Sequence, residues 1–236
     1  MLSFEVLLIL GVIGFYLYDS IMLFNINELL LTKSYKGWFY SFPALGFQLL
    51  KRYPLLPNPL IPHMAIFRVS WPNDAKLFDE DKFKIFSQSL KPVQLAVNIL
   101  FMLLLIYLPM IALMYGSGPK LLIIFGITYL LISTILLYIF NNKDKLYMSN
   151  KRFVSFAFES LVCPPFALNM VRKISLNHPN LGDPIFFSES VFDINNQEIF
   201  NKDISKLINR RMSFLEVDSD NYIELSSYYP KLKVRK

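Results

Sequence analysis

The chain holds a single cysteine, Cys163, among its 236 residues. One thiol excludes an intrachain disulfide and every multi-cysteine metal centre. Histidine is nearly as scarce: His63 and His178 stand far apart in sequence and supply too few ligands for a metal site. Charged residues make up only 18%, below the share of an ordinary soluble domain. Also absent are the phosphate-cradling GxxxxGK[ST] and GxGxxG loops, the zinc-binding HExxH and the nucleophile elbow GxSxG. These absences predict no metal and no cofactor, and leave catalysis without a familiar constellation.

What is present is apolar. Hydrophobic residues reach 54%, aromatics 16%, and mean hydropathy is +0.39. The apolar residues gather into three long runs: Phe4 to Phe24, Pro92 to Met114 and Leu121 to Phe140. Each is long enough, at about 1.5 Å per helical residue, to cross a hydrocarbon core about 30 Å thick. The first run follows MLSFE, which has no basic residue, and no small-x-small cleavage site comes after it, so it is expected to be a retained helix. Pro92 suits a first-turn position, and Pro109 is expected to kink the second run near its end. The turn Tyr115-Gly116-Ser117-Gly118 is short enough to force an antiparallel hairpin of runs two and three.

The net charge of +6 is unevenly placed. Nine basic residues, Lys33 to Lys91, lie between the first and second runs, and Lys143, Lys145, Lys151, Arg152, Arg172 and Lys173 follow the third. The hairpin turn carries only Lys120, and no Lys or Arg precedes Lys33. Basic flanks are retained on the cytoplasmic side. The predicted topology has the N-terminus outside, the hairpin turn outside, and the central loop and C-terminal region inside. The charge is assigned to anionic headgroups rather than nucleic acid. The Lys, Asn and Ile content suits a low-GC bacterium, so the expected location is a bacterial cytoplasmic membrane, crossed several times.

The expected fold is an all-α integral membrane protein with three transmembrane helices, two of them a hairpin, plus amphipathic juxtamembrane segments and a small C-terminal cytoplasmic region. By segment this gives a first transmembrane helix (1–24), a cytoplasmic juxtamembrane loop (25–91), the transmembrane hairpin (92–140), a basic flank with a broken interfacial helix (141–176) and a cytoplasmic tail (177–236). Within the loop, Asn27 to Tyr53 reads as a juxtamembrane helix whose aromatic patch, centred on Trp38, sits among lysines as interfacial segments do. Pro54, Pro57, Pro59 and Pro62 predict an extended connector. Asp74 to Ser89 and Glu198 to Val217 read as helices. Phe153 to Leu176 is apolar but interrupted by Pro164-Pro165, which predicts a broken helix at the interface; a fourth span is the alternative.

A few polar residues invite chemistry. Asp19 is ionisable within a span and needs a partner; Arg172 or Lys173 is expected to pair with it and pin the broken helix. Glu159, Asn169 and Trp38 are candidates for headgroup or partner contact, with Arg172 as an anion-binding neighbour three residues from Asn169. Cys163 is a weak candidate nucleophile or acylation site; an inert, buried apolar cysteine is the plainer expectation. The expected function is therefore a non-catalytic membrane subunit or scaffold that docks a protein partner, or a second copy, through its cytoplasmic loops and tail. A lipid- or thiol-active enzyme around Cys163, Glu159 and Arg172 and an oligomeric channel or carrier are the alternatives.

Overall fold

The computed structural model describes residues 3–25, 28–34, 37–41, 49, 52–70, 79–116, 118–176, 184–213, 215–220, 222–223 and 225–227. The chain divides into two compact units. The first is drawn from Met1–Met22, Leu55–Ile66 and Glu80–Pro179, the second from Leu23–Pro54, Phe67–Asp79 and Asn180–Lys236. Most described residues are helical, and two helical stretches are long and apolar enough to cross a membrane: Glu80–Tyr115 and Pro119–Asn141.

The first unit is helical. Helix α1, Phe4–Ser20, starts at Ser3, whose side chain accepts from the Val6 N–H, and ends before Ile21. It is shorter than the apolar run that encodes it, because Met22–Phe24 leave the helix as a strand. Helix α2, Glu80–Met102, joins two predicted segments into one: Pro92 lies inside it rather than at its start. A proline there removes one ladder hydrogen bond and crowds the carbonyl four residues back, that of Gln88. Tyr138 donates to the neighbouring Ser89 carbonyl at 3.0 Å, supplying a tertiary bond where the ladder is weakened. A π-turn over Leu103–Tyr107 then leads into α3, Leu108–Tyr115, with the Leu108 N–H reaching back to the Leu103 carbonyl. The widened turn precedes Pro109, so the proline is absorbed by a bulge in a continuous helix. Gly116 ends it with φ +66°, a left-handed conformation that a side chain resists. Helix α4, Pro119–Asn141, returns with Pro119 in its first turn.

Beyond α4, helix α5 runs Asn150–Val162 from a Ser149 cap. Pro164-Pro165 break it as expected: a 3₁₀ turn, Pro164–Asn169, precedes the short α6, Met170–Ser175. No uninterrupted helix of spanning length occurs between 153 and 176.

The second unit corrects the all-α expectation. Strand β1 is Met22–Phe24; β2, Glu28–Ser34, pairs antiparallel with β3, Gly37–Ser41, placing Leu31 opposite Tyr40 and Lys33 opposite Trp38. Strand β4, Tyr53–Leu55, joins β1, while β5, Ile66–Ser70, completes a three-stranded sheet ordered β3-β2-β5. The described part of the predicted juxtamembrane helix, within 28–41, is therefore a pair of antiparallel strands, while 42–48 and 50–51 lie outside the described residues. The run Leu29-Leu30-Leu31 is buried on both faces of the central strand, and a continuous apolar run has no period that separates strand from helix. The tail supplies α7, Pro184–Val191, and α8, Ile194–Met212, capped by Asp193. Helix α8 starts and ends earlier than Glu198 to Val217, and it buries Phe200, Ile204, Ile208 and Arg211, one stripe at helical spacing.

Candidate functional site

The polar residues of the first unit converge where α1 ends and the Pro-Pro break begins. Tyr16, Asp19 and Ser20 occupy one face of the last turns of α1, at spacings of three and four. Asn169 closes the 3₁₀ turn opposite them. Its Oδ1 accepts from Ser20 Oγ at 3.1 Å and from Arg172 Nη1 at 3.2 Å. Its Nδ2 donates to Asp19 Oδ2 at 3.0 Å and to the Tyr16 carbonyl at 3.5 Å. Three of the buried amide's four hydrogen-bonding positions are thereby used outright, and the single Ser20 proton is shared between this Oδ1 and the Tyr16 carbonyl, 2.7 Å from Ser20 Oγ.

Arg172 and Lys173 are neighbours with different partners, because one residue turns a helix by about 100°. Lys173 Nζ sits 2.7 Å from Asp19 Oδ1 and 3.1 Å from Glu159 Oε2, bridging α1 and α5. Glu159 also accepts from Ser155 at 3.2 Å. Arg172 is 1% exposed and turns into the chain. Its Nη2 donates to the Asn58 carbonyl and, at 3.1 Å, to that of Ile61, while the Tyr16 hydroxyl donates to the Pro59 carbonyl. Within the proline-rich connector the Ile61 and Met64 N–H groups already donate to the Asn58 and Ile61 carbonyls, both at 3.3 Å, and Arg172 adds a second donor to each. Burial lowers the guanidinium pKa of Arg172, and the nearby Tyr16 partly opposes the shift. The group stays cationic at neutral pH. The anion-binding surface role considered for Arg172 does not fit this inward position.

Cys163 lies half-buried at the end of α5. Burial pushes its thiol pKa up; the Phe166 N–H and Lys173 pull it down, and Asp19 pushes it further up. The thiol is held protonated, which makes it a poor nucleophile. His63 presents its carbonyl to Gln94 at 2.9 Å, and its buried Nδ1 has no hydrogen-bond partner among the described residues. His178 lies outside them. Among the described residues no group of three or more His, Cys, Asp or Glu side chains could hold a metal ion. An open apolar cleft of about 580 Å³ lies between α1 and α4, lined by Phe4, Leu8, Leu121, Leu122 and Phe125 with Gly118 and Pro119; it offers no reactive side chain.

In the second unit Trp38 is half-buried rather than presented at a surface. Its ring meets Phe67 at 5.7 Å and Phe187 at 5.0 Å, and Lys33 lies over it at 5.3 Å. Of the aromatic patch assigned to an interface, Trp38 and Tyr40 pack within this unit, Phe39 is exposed, and Phe42 and Phe47 lie outside the described residues. Tyr40 meets Phe200 at 4.9 Å and donates to Asp203 Oδ2 at 2.7 Å. Burial first, then the Asp203 contact, pushes its phenol up to about 12. Arg211 is fully buried; burial pushes its guanidinium down to about 10, against the opposing fields of Tyr53 and Glu28.

Sequence reasoning singled out Asp19, Glu159, Asn169, Arg172 and Lys173, and the fold brings all five together. It missed Tyr16 and Ser20, whose spacing around Asp19 was a usable signal, and the carbonyls of Asn58 and Ile61, which carry none. The assembled network contains hydrogen bonds and ion pairs but no nucleophile–base pair. No protein-family model, curated protein or solved structure matches this chain.

Proposed function

We propose that the chain is a multi-pass membrane subunit without catalytic chemistry of its own. Three helices anchor it (α1, the continuous α2–α3 and α4), and its cytoplasmic segments dock a protein partner or a second copy. One observation carries the membrane part. Much of the apolar surface of the long helices is left uncovered by the rest of the chain. Only 28% and 33% of the most apolar windows of Glu80–Tyr115 and Pro119–Asn141 are buried, whereas the core helix of a water-soluble protein is mostly buried. Leu95 and Leu113 on one helix, Leu122, Leu130 and Leu137 on the other, and Leu7, Leu10 and Phe15 on α1 are all exposed. In water such contiguous apolar surface drives aggregation; in hydrocarbon it is simply solvated. At 17 residues, α1 spans about 25 Å and lies at the short end of what a crossing needs.

The polar knot supports a structural role. Its carboxylates and cations are spent on one another and on backbone carbonyls, joining α1, the connector and the broken helix into one frame. The scarcity of charge on the outward faces argues against a conduction path. Impermeant maleimide labelling tests the topology in a Cys163→Ser background. Ser117→Cys is expected to react from outside intact cells and Lys145→Cys only after permeabilisation; the reverse pattern refutes the orientation. Mass measurement in mild detergent tests docking. A stoichiometric complex is expected, and a lone monomer from every mild detergent contradicts it.

A further inference from the structure

Helix α5 is apolar on the side that the protein leaves uncovered. Phe156 and Ser160 face inward and are buried. Val154, Phe158, Leu161 and Val162 fall at i, i+4, i+7 and i+8, one helical face, and are 64, 68, 40 and 65% exposed. The helix's one acid, Glu159, stands to the side of that face, held by Lys173 and Ser155. At the other end the surface is basic: Lys145, Lys151 and Arg152 are exposed, and Lys143 donates to Asn150 at 2.7 Å. Lys151 and Arg152 occupy the first turn of α5, where positive charge opposes the helix dipole. The helix dipole does not favour them there, whereas attraction to an anionic surface does. On the inward side of α5, Phe153, in the column of the buried Ser160, meets Phe140 of α4 at 5.3 Å.

We infer that α5 is a lipid-docking helix. Its outward face enters the cytoplasmic leaflet, and Lys145, Lys151 and Arg152 bind anionic phospholipid headgroups. Basic residues at one end and apolar ones along the rest are the chemistry of a helix seated at the headgroup boundary. The inference rests on the membrane reading above and names the lipid class and the residues that meet it.

The test uses the full chain in a Cys163→Ser background, with an environment-sensitive fluorophore on Phe158→Cys and, separately, on Leu130→Cys in mid-α4. Vesicles are phosphatidylcholine alone or equal parts phosphatidylcholine and phosphatidylglycerol, brominated near the headgroup or near the chain end. The probe at 158 is expected to be quenched by shallow bromine, more by brominated phosphatidylglycerol than by brominated phosphatidylcholine, and the probe at 130 by deep bromine. Lys145→Gln and Lys151→Gln are each expected to lower the phosphatidylglycerol preference about fivefold. Quenching of the 158 probe by aqueous iodide, with Leu130 still reached by deep bromine, overturns the inference and leaves the membrane reading standing. Shielding of 158 from both iodide and bromine assigns the face to protein, a second copy or a partner, and also overturns it. A lipid preference indifferent to both lysine changes removes the headgroup claim. Loss of deep quenching at 130 refutes the membrane reading itself.

Discussion

Each unit of the molecule seals one arginine from solvent, and the two are held differently. Arg172 in the first unit is answered by neutral oxygens: the Asn169 amide and the carbonyls of Asn58 and Ile61. Arg211 in the second lies in the field of Glu28 and Tyr53. Glu28 does not depend on it, since the Asn25 backbone N–H and side chain donate to Glu28 at 2.8 and 3.1 Å and Arg68 stands 3.7 Å away. Burial lowers both guanidinium pKa values, yet both groups stay charged at neutral pH. The contrast is in what each leaves behind when removed. Arg172 ties the connector to α6, as a second donor to carbonyls that also accept the Ile61 and Met64 N–H groups. Arg211 is a cation whose carboxylate neighbour keeps its remaining partners.

That contrast orders the expected effects. Arg172→Met removes the charge-assisted donor shared by Asn169 and two connector carbonyls and is expected to cost about 3 kcal/mol, read as a fall in thermal midpoint in mild detergent. Proteolysis within 55–66 should rise in parallel, because the connector loses its tie to α6 and keeps only its own turn hydrogen bonds. Lys173→Met leaves Asp19 and Glu159 facing each other without their bridge. Asp19 and Lys173 are mostly buried, so about 1–2 kcal/mol is expected, between an exposed and a sealed pair. Placing a cation at 19 and an acid at 173 should recover much of that loss; no recovery would count against the pairing. Arg211→Met is expected to cost only about 1 kcal/mol, since Glu28 keeps its two hydrogen bonds from Asn25 and its Arg68 neighbour and is not left uncompensated. A loss as large as that of Arg172→Met would erase the comparison. Glu159, 44% exposed, is the smallest: Glu159→Gln should shift stability by no more than a few tenths of a kcal/mol.

The second unit adds a pH dependence with a definite sign. Tyr40 keeps its proton to about pH 12 in the folded chain, whereas an unfolded phenol releases it near 10. The raised value contributes stability that is fully present below the unfolded pKa and is lost as pH climbs through the folded one. Tyr40→Phe should therefore flatten the alkaline arm of the unfolding profile between those values, measured by near-ultraviolet circular dichroism. An unchanged alkaline arm would show that the Asp203 contact does not bear on it.

Much of the helical part was legible because its determinants are local. The apolar run from Leu121 to Phe140 sits within α4, and Pro164-Pro165 announce a break whatever surrounds them. The merger of the predicted Asp74–Ser89 helix, whose residues 74–78 lie outside the described ones, with the second run into α2 from Glu80 was not legible, because Pro92 reads equally as a helix start and as a tolerated interior proline. The hairpin of β2 and β3 was misread as helix: its three consecutive leucines have no period, and burial of both strand faces is a tertiary fact. The site was half legible. Asp19 near two adjacent cations could be read along the chain, but the choice of Lys173 over Arg172 depends on the rotation of α6. The Arg172 bonds to Asn58 and Ile61 depend on where the connector passes.

The outward-facing leucines of the long helices are what make this chain a membrane protein in our account, and alkaline carbonate washing of vesicles carrying the full chain tests that most directly. The account predicts that the chain stays in the lipid pellet. Its appearance as a folded, monodisperse species in the aqueous supernatant would contradict it.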